Sequence, residues 1–193
     1  MTTIYLMRHG ETSWNIMGKC QGRIDNPLNE KGKAQAKEKA LQLKEQNFHV
    51  DAILSSSLYR AYQTAEILAS ILGYSRPIEK KDAFVEREFG ALEGQDVNFV
   101  RKTLREHLED QIEGYEHDEN LVQRVKKGLV ELGKEYDQKQ VLVVAHSHAI
   151  KGLLSSLEPE KYSFFTYLPN LNLTKLIVDG EKITIQEFRS YEK

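Results

Sequence analysis

The chain opens with a short uninterrupted apolar run, Ile4-Tyr5-Leu6-Met7, which reads as a buried strand. From Glu30 to Asn47 it turns rich in Ala, Lys, Gln and Leu, a composition that favours helix. Ala52-Ile53-Leu54 is a second short strand, ended by Ser55-Ser56-Ser57. Apolar positions then recur at helical spacing, from Leu58, Ala61 and Ala65 to Leu68, Ala69 and Leu72, with the serines placed to cap that helix. Val97, Val100, Leu104 and Leu108 mark a further helix, and Leu121, Val125, Leu129 and Leu132 another. Val141-Leu142-Val143-Val144-Ala145 is the most apolar strand of the pattern, and Ala149, Ile150, Leu153, Leu154 and Leu157 follow it at helical spacing. Leu173 to Val178 and Glu181 to Phe188 flank Asp179-Gly180, a dipeptide suited to a two-residue type I′ turn, so a hairpin is expected there.

Continuously apolar strands that alternate with helices point to an α/β fold. The expected architecture is three-layered, a mainly parallel central sheet flanked by helices, with a helical cap insertion at about 95–120 and a C-terminal β-hairpin. A single domain over 1–193 suits the length.

Composition narrows the class. With 27 Lys and Arg against 29 Asp and Glu the net charge is −2, which argues against a basic nucleic-acid binder. Cys20 is the only cysteine, so neither an intrachain disulfide nor a cysteine zinc cage can be built. Arg8 follows the first apolar stretch too soon for a signal peptide, and no apolar run approaches membrane-spanning length. A soluble cytoplasmic protein with no nucleic-acid or membrane partner is expected, its oligomeric state left open.

In parallel sheets, ligands bind beyond the carboxyl ends of the strands. The first strand runs into Arg8-His9-Gly10-Glu11-Thr12. The second runs into the serines and then Arg60, and the third into His146-Ser147-His148. If the strands are parallel, two histidines and two arginines meet in one crevice, and the polar loop Glu86 to Gly94 closes over it. Arginine forks match phosphate oxygens, a neutral imidazole is a nucleophile towards phosphorus, and a carboxylic acid protonates a leaving oxygen. Such a set needs no metal, because arginines and histidines supply the positive charge.

Arg8-His9-Gly10-Glu11 resembles the signature of the histidine phosphatase superfamily, the phosphoglycerate mutase-like family. Asn15 and Gln21-Gly22 resemble its phosphate-contacting loop, Asp25-Asn26-Pro27-Leu28 its Asp-x-Pro-Leu, and Gly32 the glycine after it. Ser55-Ser56-Ser57-Leu58-Tyr59-Arg60-Ala61-Tyr62-Gln63-Thr64-Ala65, Glu86 to Gly94 and Val144-Ala145-His146 resemble three later segments, in family order. The resemblance implies that His9 carries the phosphoryl group, that Arg8, Arg60 and His146 complete the phosphate pocket with Asn15, Gln21 and Gly22, and that Glu86 is first acid, then base. It implies a phosphatase acting on a small phosphorylated metabolite with no cofactor and no metal.

Two departures stand out. Ser147 and His148 follow His146 where the family usually has Gly; Ser147 keeps a backbone N–H for a phosphate oxygen but alters the pocket rim. The 95–120 stretch has no proline and ends acidic, which disfavours the alternative of a phosphoglycerate mutase, although Arg101, Lys102 and Arg105 remain in reach of an anionic substrate. A non-catalytic phospho-ligand binder is the other alternative, disfavoured because His9, the arginines and the acid are all present. His146-x-His148 also matches a metal-ligand pair, but supporting ligands are scarce: only Asp179 follows among aspartates. An Ala145-His146-Ser147-His148-Ala149 nucleophile elbow fails because no later histidine exists.

Overall fold

The computed structural model describes residues 1–189. Six strands form one sheet in the order β3-β2-β4-β1-β5-β6. They are β1 (Thr2–Arg8), β2 (Ala52–Ser55), β3 (Glu79–Lys80), β4 (Gln140–Ala145), β5 (Leu173–Asp179) and β6 (Lys182–Arg189). The β1–β4, β4–β2 and β2–β3 pairings are parallel, and the C-terminal hairpin adds β5 and β6 antiparallel. Among the described residues six α-helices accompany them: α1 (Ser13–Ile16), α2 (Glu30–Glu45), α3 (Tyr59–Leu72), α4 (Val97–Arg105), α5 (Asp118–Glu135) and α6 (Ser147–Leu157). Among the described residues no helix is long and apolar enough to cross a membrane.

The period of two in β4 explains the layers. Val141, Val143 and Ala145 face one core with Leu121, Leu129 and Leu153 from α5 and α6. Leu142 and Val144 face the other, with Ala36 and Leu43 of α2 and Ala65 and Leu68 of α3. Both faces are covered, which is why these strands read as unbroken apolar runs. A third, smaller cluster (Cys20, Phe89, Leu92, Val100 and Tyr115) seats α4 beside the carboxyl end of the sheet.

Three boundaries differ from the sequence reading, each for a local reason. The serines do not cap α3, whose N-cap is Leu58. Asp25 accepts from the Tyr59 amide instead, and Ser56 Oγ accepts from Leu58 N and pairs with His146. Helix α4 stops at Arg105, short of Leu108, because His107 turns into the left-handed region at φ 53°. The hairpin turn is Gly180-Glu181, since Asp179 still pairs with Lys182. Gly180 has φ 60°, while Glu181 is not among the residues with positive φ, so the turn matches type II′ with glycine leading. The short α1 and β3 had no sequence signal.

The parallel register levels the strand ends that matter. Arg8 pairs with Ala145, and Ser55 with Val144. Helix α2 then packs backbone to backbone on the loop after β1. A Cβ on Gly32 would stand 2.1 Å from the Glu11 carbonyl oxygen and 2.7 Å from its nitrogen. Neither contact is a flexible side chain, so the loop itself must move. Gly32→Ala is therefore expected to destabilise the fold by about 1–3 kcal/mol, the usual cost of overpacking. A lower urea midpoint with unchanged slope checks it; an unchanged midpoint contradicts the packing.

Candidate active site

His9 is the first residue beyond β1, and its amide donates to the Ala145 carbonyl at 3.1 Å. Its ring is buried, with Nδ1 2.6 Å from the Gly10 carbonyl oxygen. A carbonyl only accepts, so Nδ1 carries the proton and Nε2 keeps its lone pair. Arg60 Nε donates to that Nε2 at 3.3 Å. Burial, and then the charges of Arg60 and Arg8, push the His9 pKa well below its ordinary 6.5. The imidazole is neutral at physiological pH.

Arg60 sits fully buried in the first turn of α3. Its two terminal nitrogens donate to the Ile24 carbonyl at 2.8 Å and the Gly22 carbonyl at 2.6 Å. Burial lowers its pKa to about 10, which leaves it charged at neutral pH. Gly22 thus sets Arg60; its own amide donates to Glu93 Oε1 at 3.1 Å, and it does not line the cleft. A Cβ there would meet the Arg87 carbonyl oxygen at 2.7 Å, which explains the glycine.

His146 is the N-cap residue of α6, fully buried, its ring centroid 5.2 Å from that of His9. Its Nε2 lies 2.7 Å from Ser56 Oγ. Burial and then Arg60 hold its pKa well below 6.5. Among the described residues, His146 Nδ1 and Arg8 Nε are buried nitrogens with no hydrogen-bond partner. Arg8 is otherwise fixed by donating to the Leu168 carbonyl.

Glu86 is only 4% exposed, and its carboxylate closes the N-terminus of α6. Oε1 accepts from the Arg87 and Ala149 amides at 2.9 and 3.0 Å, and Oε2 from the His148 amide at 3.1 Å. Its backbone is clamped as well. The Glu86 carbonyl accepts from Arg23 Nε at 2.6 Å and from an Arg124 terminal nitrogen at 3.1 Å. Arg124 also holds the Ala83 and Val85 carbonyls, and Glu116 bridges Arg124 and Arg23.

Arg8, His9, Asn15, Gln21, Glu86 and Ser147 line one cleft of about 210 Å³, walled on the apolar side by Phe89, Val97, Val100 and Leu104. Arg60 and His146 are fully buried against His9 rather than on the cleft surface. Asn15 Oδ1 accepts from the Thr12 amide, and Gln21 Oε1 accepts from Thr12 Oγ1 and Asn26 Nδ2. Each side chain therefore keeps its amide NH₂ as the donor end. The acidic residues after α4 do not line the cleft: Glu116 serves the arginine clamp and Asp118 pairs with Arg87 at 2.8 Å.

The two halves of His146-x-His148 go to different partners. His148 Nδ1 accepts from Arg87 Nε at 3.1 Å, and its ring stacks on Phe164. Among the described residues no group of three or more His, Cys, Asp or Glu is gathered as a metal ion would need. The sequence reading missed Arg87, Arg124 and Asn170, whose Nδ2 donates to the His9 carbonyl at 2.8 Å. An arginine on a helix or loop ordinarily points to water, and nothing local marked these as buried.

A family model for the histidine phosphatase superfamily (branch 1) matches residues 4–190. The chain is 38% identical over 191 residues to the uncharacterized phosphatase PhoE of Bacillus subtilis, covering 97% of this chain and 94% of that one. It is 32% identical over 165 residues to phosphoserine phosphatase 1 of Hydrogenobacter thermophilus, covering 81% and 76%. The crystal structure of the Entamoeba histolytica phosphoserine phosphatase in complex with 3-phosphoglyceric acid superposes with a TM-score of 0.82 at 29% identity, covering 100% and 98%. Strand ends, buried arginines, paired histidines and these relatives agree: the chain belongs to the histidine phosphatase superfamily (branch 1) and is a phosphatase of that type.

Proposed function

We propose that this chain is a cytoplasmic phosphomonoesterase that acts on a small phosphorylated metabolite through a phosphohistidine on His9. One observation carries the reading: the His9 tautomer is fixed by Gly10 so that a neutral Nε2 lone pair stands beside a buried arginine. The lone, buried Cys20 suits a reducing compartment.

The chemistry follows from the positions. Nε2 attacks phosphorus and the P–O ester bond breaks. Glu86, as the carboxylic acid, gives its proton to the leaving oxygen. Arg8 stabilises the equatorial oxygens as charge spreads over them, with the Asn15 and Gln21 amides and the Ser147 N–H as further donors, while Arg60 and His146 bear on them from behind His9. The Glu86 carboxylate then takes a proton from water, whose oxygen attacks the phosphohistidine; inorganic phosphate leaves and Nε2 is restored. Return of the phosphoryl group to a substrate instead would be mutase chemistry. The phosphatase names of close relatives favour water as acceptor.

Hydrolysis of p-nitrophenyl phosphate with excess chelator, wild type beside His9→Ala, tests the reading. Wild type is expected to release phosphate and His9→Ala to lose at least ~10³-fold, the scale on which loss of a nucleophile acts. Retained activity in the variant contradicts it. Glu86→Gln separates the acid step. On glycerol 3-phosphate, whose alkoxide needs a proton, the loss should be ~10²–10⁴-fold. On p-nitrophenyl phosphate, whose leaving group barely does, it should be far smaller. Equal losses on the two substrates remove Glu86 from the acid role.

A further inference from the structure

The first turn of α6 carries a ring that the proposed reaction leaves unused. His148 lines the cleft beside Ser147. It also touches the acid, because its main-chain N–H donates to Glu86 Oε2 at 3.1 Å. The residue therefore stands where, in that reaction, the ester oxygen meets Glu86.

The ring is fixed from three directions. Phe164 stacks on it with centroids 5.1 Å apart, and Phe89 meets it edge to face at 5.0 Å. Arg87 Nε donates to Nδ1 at 3.1 Å. Arg87 is itself fully buried, and it donates to the Glu116 carbonyl at 2.7 Å and the Asp118 carboxylate at 2.8 Å. A guanidinium only donates, so Nδ1 keeps its lone pair and the proton sits on Nε2. Nε2 has no hydrogen-bond partner among the described residues, yet it is not sealed in as His146 Nδ1 and Arg8 Nε are. It opens to the cleft that the ring lines. Burial and then the charge of Arg87 hold the pKa well below 6.5, with Lys151, Arg8 and Arg101 acting in the same sense. The ring is an uncharged donor at neutral pH.

A neutral N–H of fixed direction selects differently from the cations around it. Lys and Arg favour charge, whereas this donor favours one oxygen at one place. The same residue holds Glu86 by its amide, so that oxygen lies close to the ester oxygen. We infer that His148 is a specificity-determining residue: its Nε2–H, aimed by Arg87 and Phe164, donates to an uncharged oxygen on the leaving-group carbon next to the ester carbon, and the cleft prefers phosphate esters of polyols to those of simple alcohols. Arg87 is the positioning residue and acts through Nδ1. This inference rests on the phosphomonoesterase reading above.

The test sets glycerol 3-phosphate against n-propyl phosphate, which has the same carbon chain and charge but no hydroxyl. Equal charge makes the two feel Arg8, Lys151 and Arg101 alike. Wild-type kcat/KM is expected to favour glycerol 3-phosphate by ~3–10-fold, the scale of one net hydrogen bond. His148→Asn keeps an acceptor for Arg87 near the Nδ1 position and loses the donor at Nε2; it should remove most of that preference. His148→Gln places an amide N–H near the Nε2 position and should keep part of it. The intrinsic difference between the two alkoxides is common to all three enzymes and drops out. An unchanged ratio in His148→Asn overturns the assignment. So does the reverse order, with preference kept by His148→Asn and lost by His148→Gln, which a merely structural hold on Arg87 would give. Nitrogen-15 NMR of His9→Ala leaves the ring unaltered: the proton is expected on Nε2, its signal moving with glycerol 3-phosphate far more than with propyl phosphate. A proton on Nδ1, or an equal response to both esters, overturns the donor. Absence of wild-type turnover on both esters and on p-nitrophenyl phosphate strikes the phosphomonoesterase reading instead, and the NMR comparison then decides the donor alone.

Discussion

The hydrogen bond from the His9 amide to the Ala145 carbonyl carries the parallel pairing of β1 and β4 one residue past their last rung. It fixes where His9 leaves the sheet relative to His146, the residue after Ala145. The Ser56 amide makes the matching bond to the Val144 carbonyl at 2.9 Å, so the third strand end is tied to the same strand. Two rings and a hydroxyl meet because three neighbouring strands end level. Shifting any strand by one residue would turn its core side chains to the opposite face, and both faces are buried.

Around that frame the chain buries guanidinium groups that are costly to desolvate, by several kcal/mol each. It offsets the cost with fixed acceptors. Arg60 is held by two loop carbonyls, and Arg87 by the Glu116 carbonyl, the Asp118 carboxylate and His148. Arg124 spans three carbonyls and Glu116. These bonds hold charge in place before substrate arrives, which is how a site stabilises a transition state without reorganising. They also keep the neighbouring imidazoles neutral. In the role proposed for His9, a nucleophile that must not be protonated is thereby paired with cations that must stay charged.

Much of this was legible in the sequence because it is local or periodic. Strand runs, helix stripes and the Arg8-His9, Arg60 and His146 positions each follow an apolar run, and parallel topology alone brings those ends together. Glu86 was legible only through its resemblance to a family segment. What escaped depends on distant chain segments meeting. Arg124 lies on the polar side of α5 by sequence, yet packs under the Glu86 loop. Asn170 and Leu168 hold His9 and Arg8 from a loop with no periodic pattern. Gly22 was read as a ligand contact, but its neighbours are Arg60, Glu93 and the Arg87 backbone, because glycine there answers a close backbone approach. The acidic run after α4 was read as disfavouring a mutase; most of its members are exposed, and Glu116 and Asp118 pair with Arg124 and Arg87 rather than line the cleft.

The most direct measurement is rapid alkaline quenching of the enzyme during turnover of p-nitrophenyl phosphate, with peptide mapping and phosphorus NMR of the trapped protein. The expected result is a single acid-labile phosphoryl group on His9, bonded to Nε2, because Nδ1 is committed to the Gly10 carbonyl. A phosphoryl group on Nδ1 or on another residue would contradict it, as would turnover with no covalent intermediate under conditions where its breakdown limits the rate.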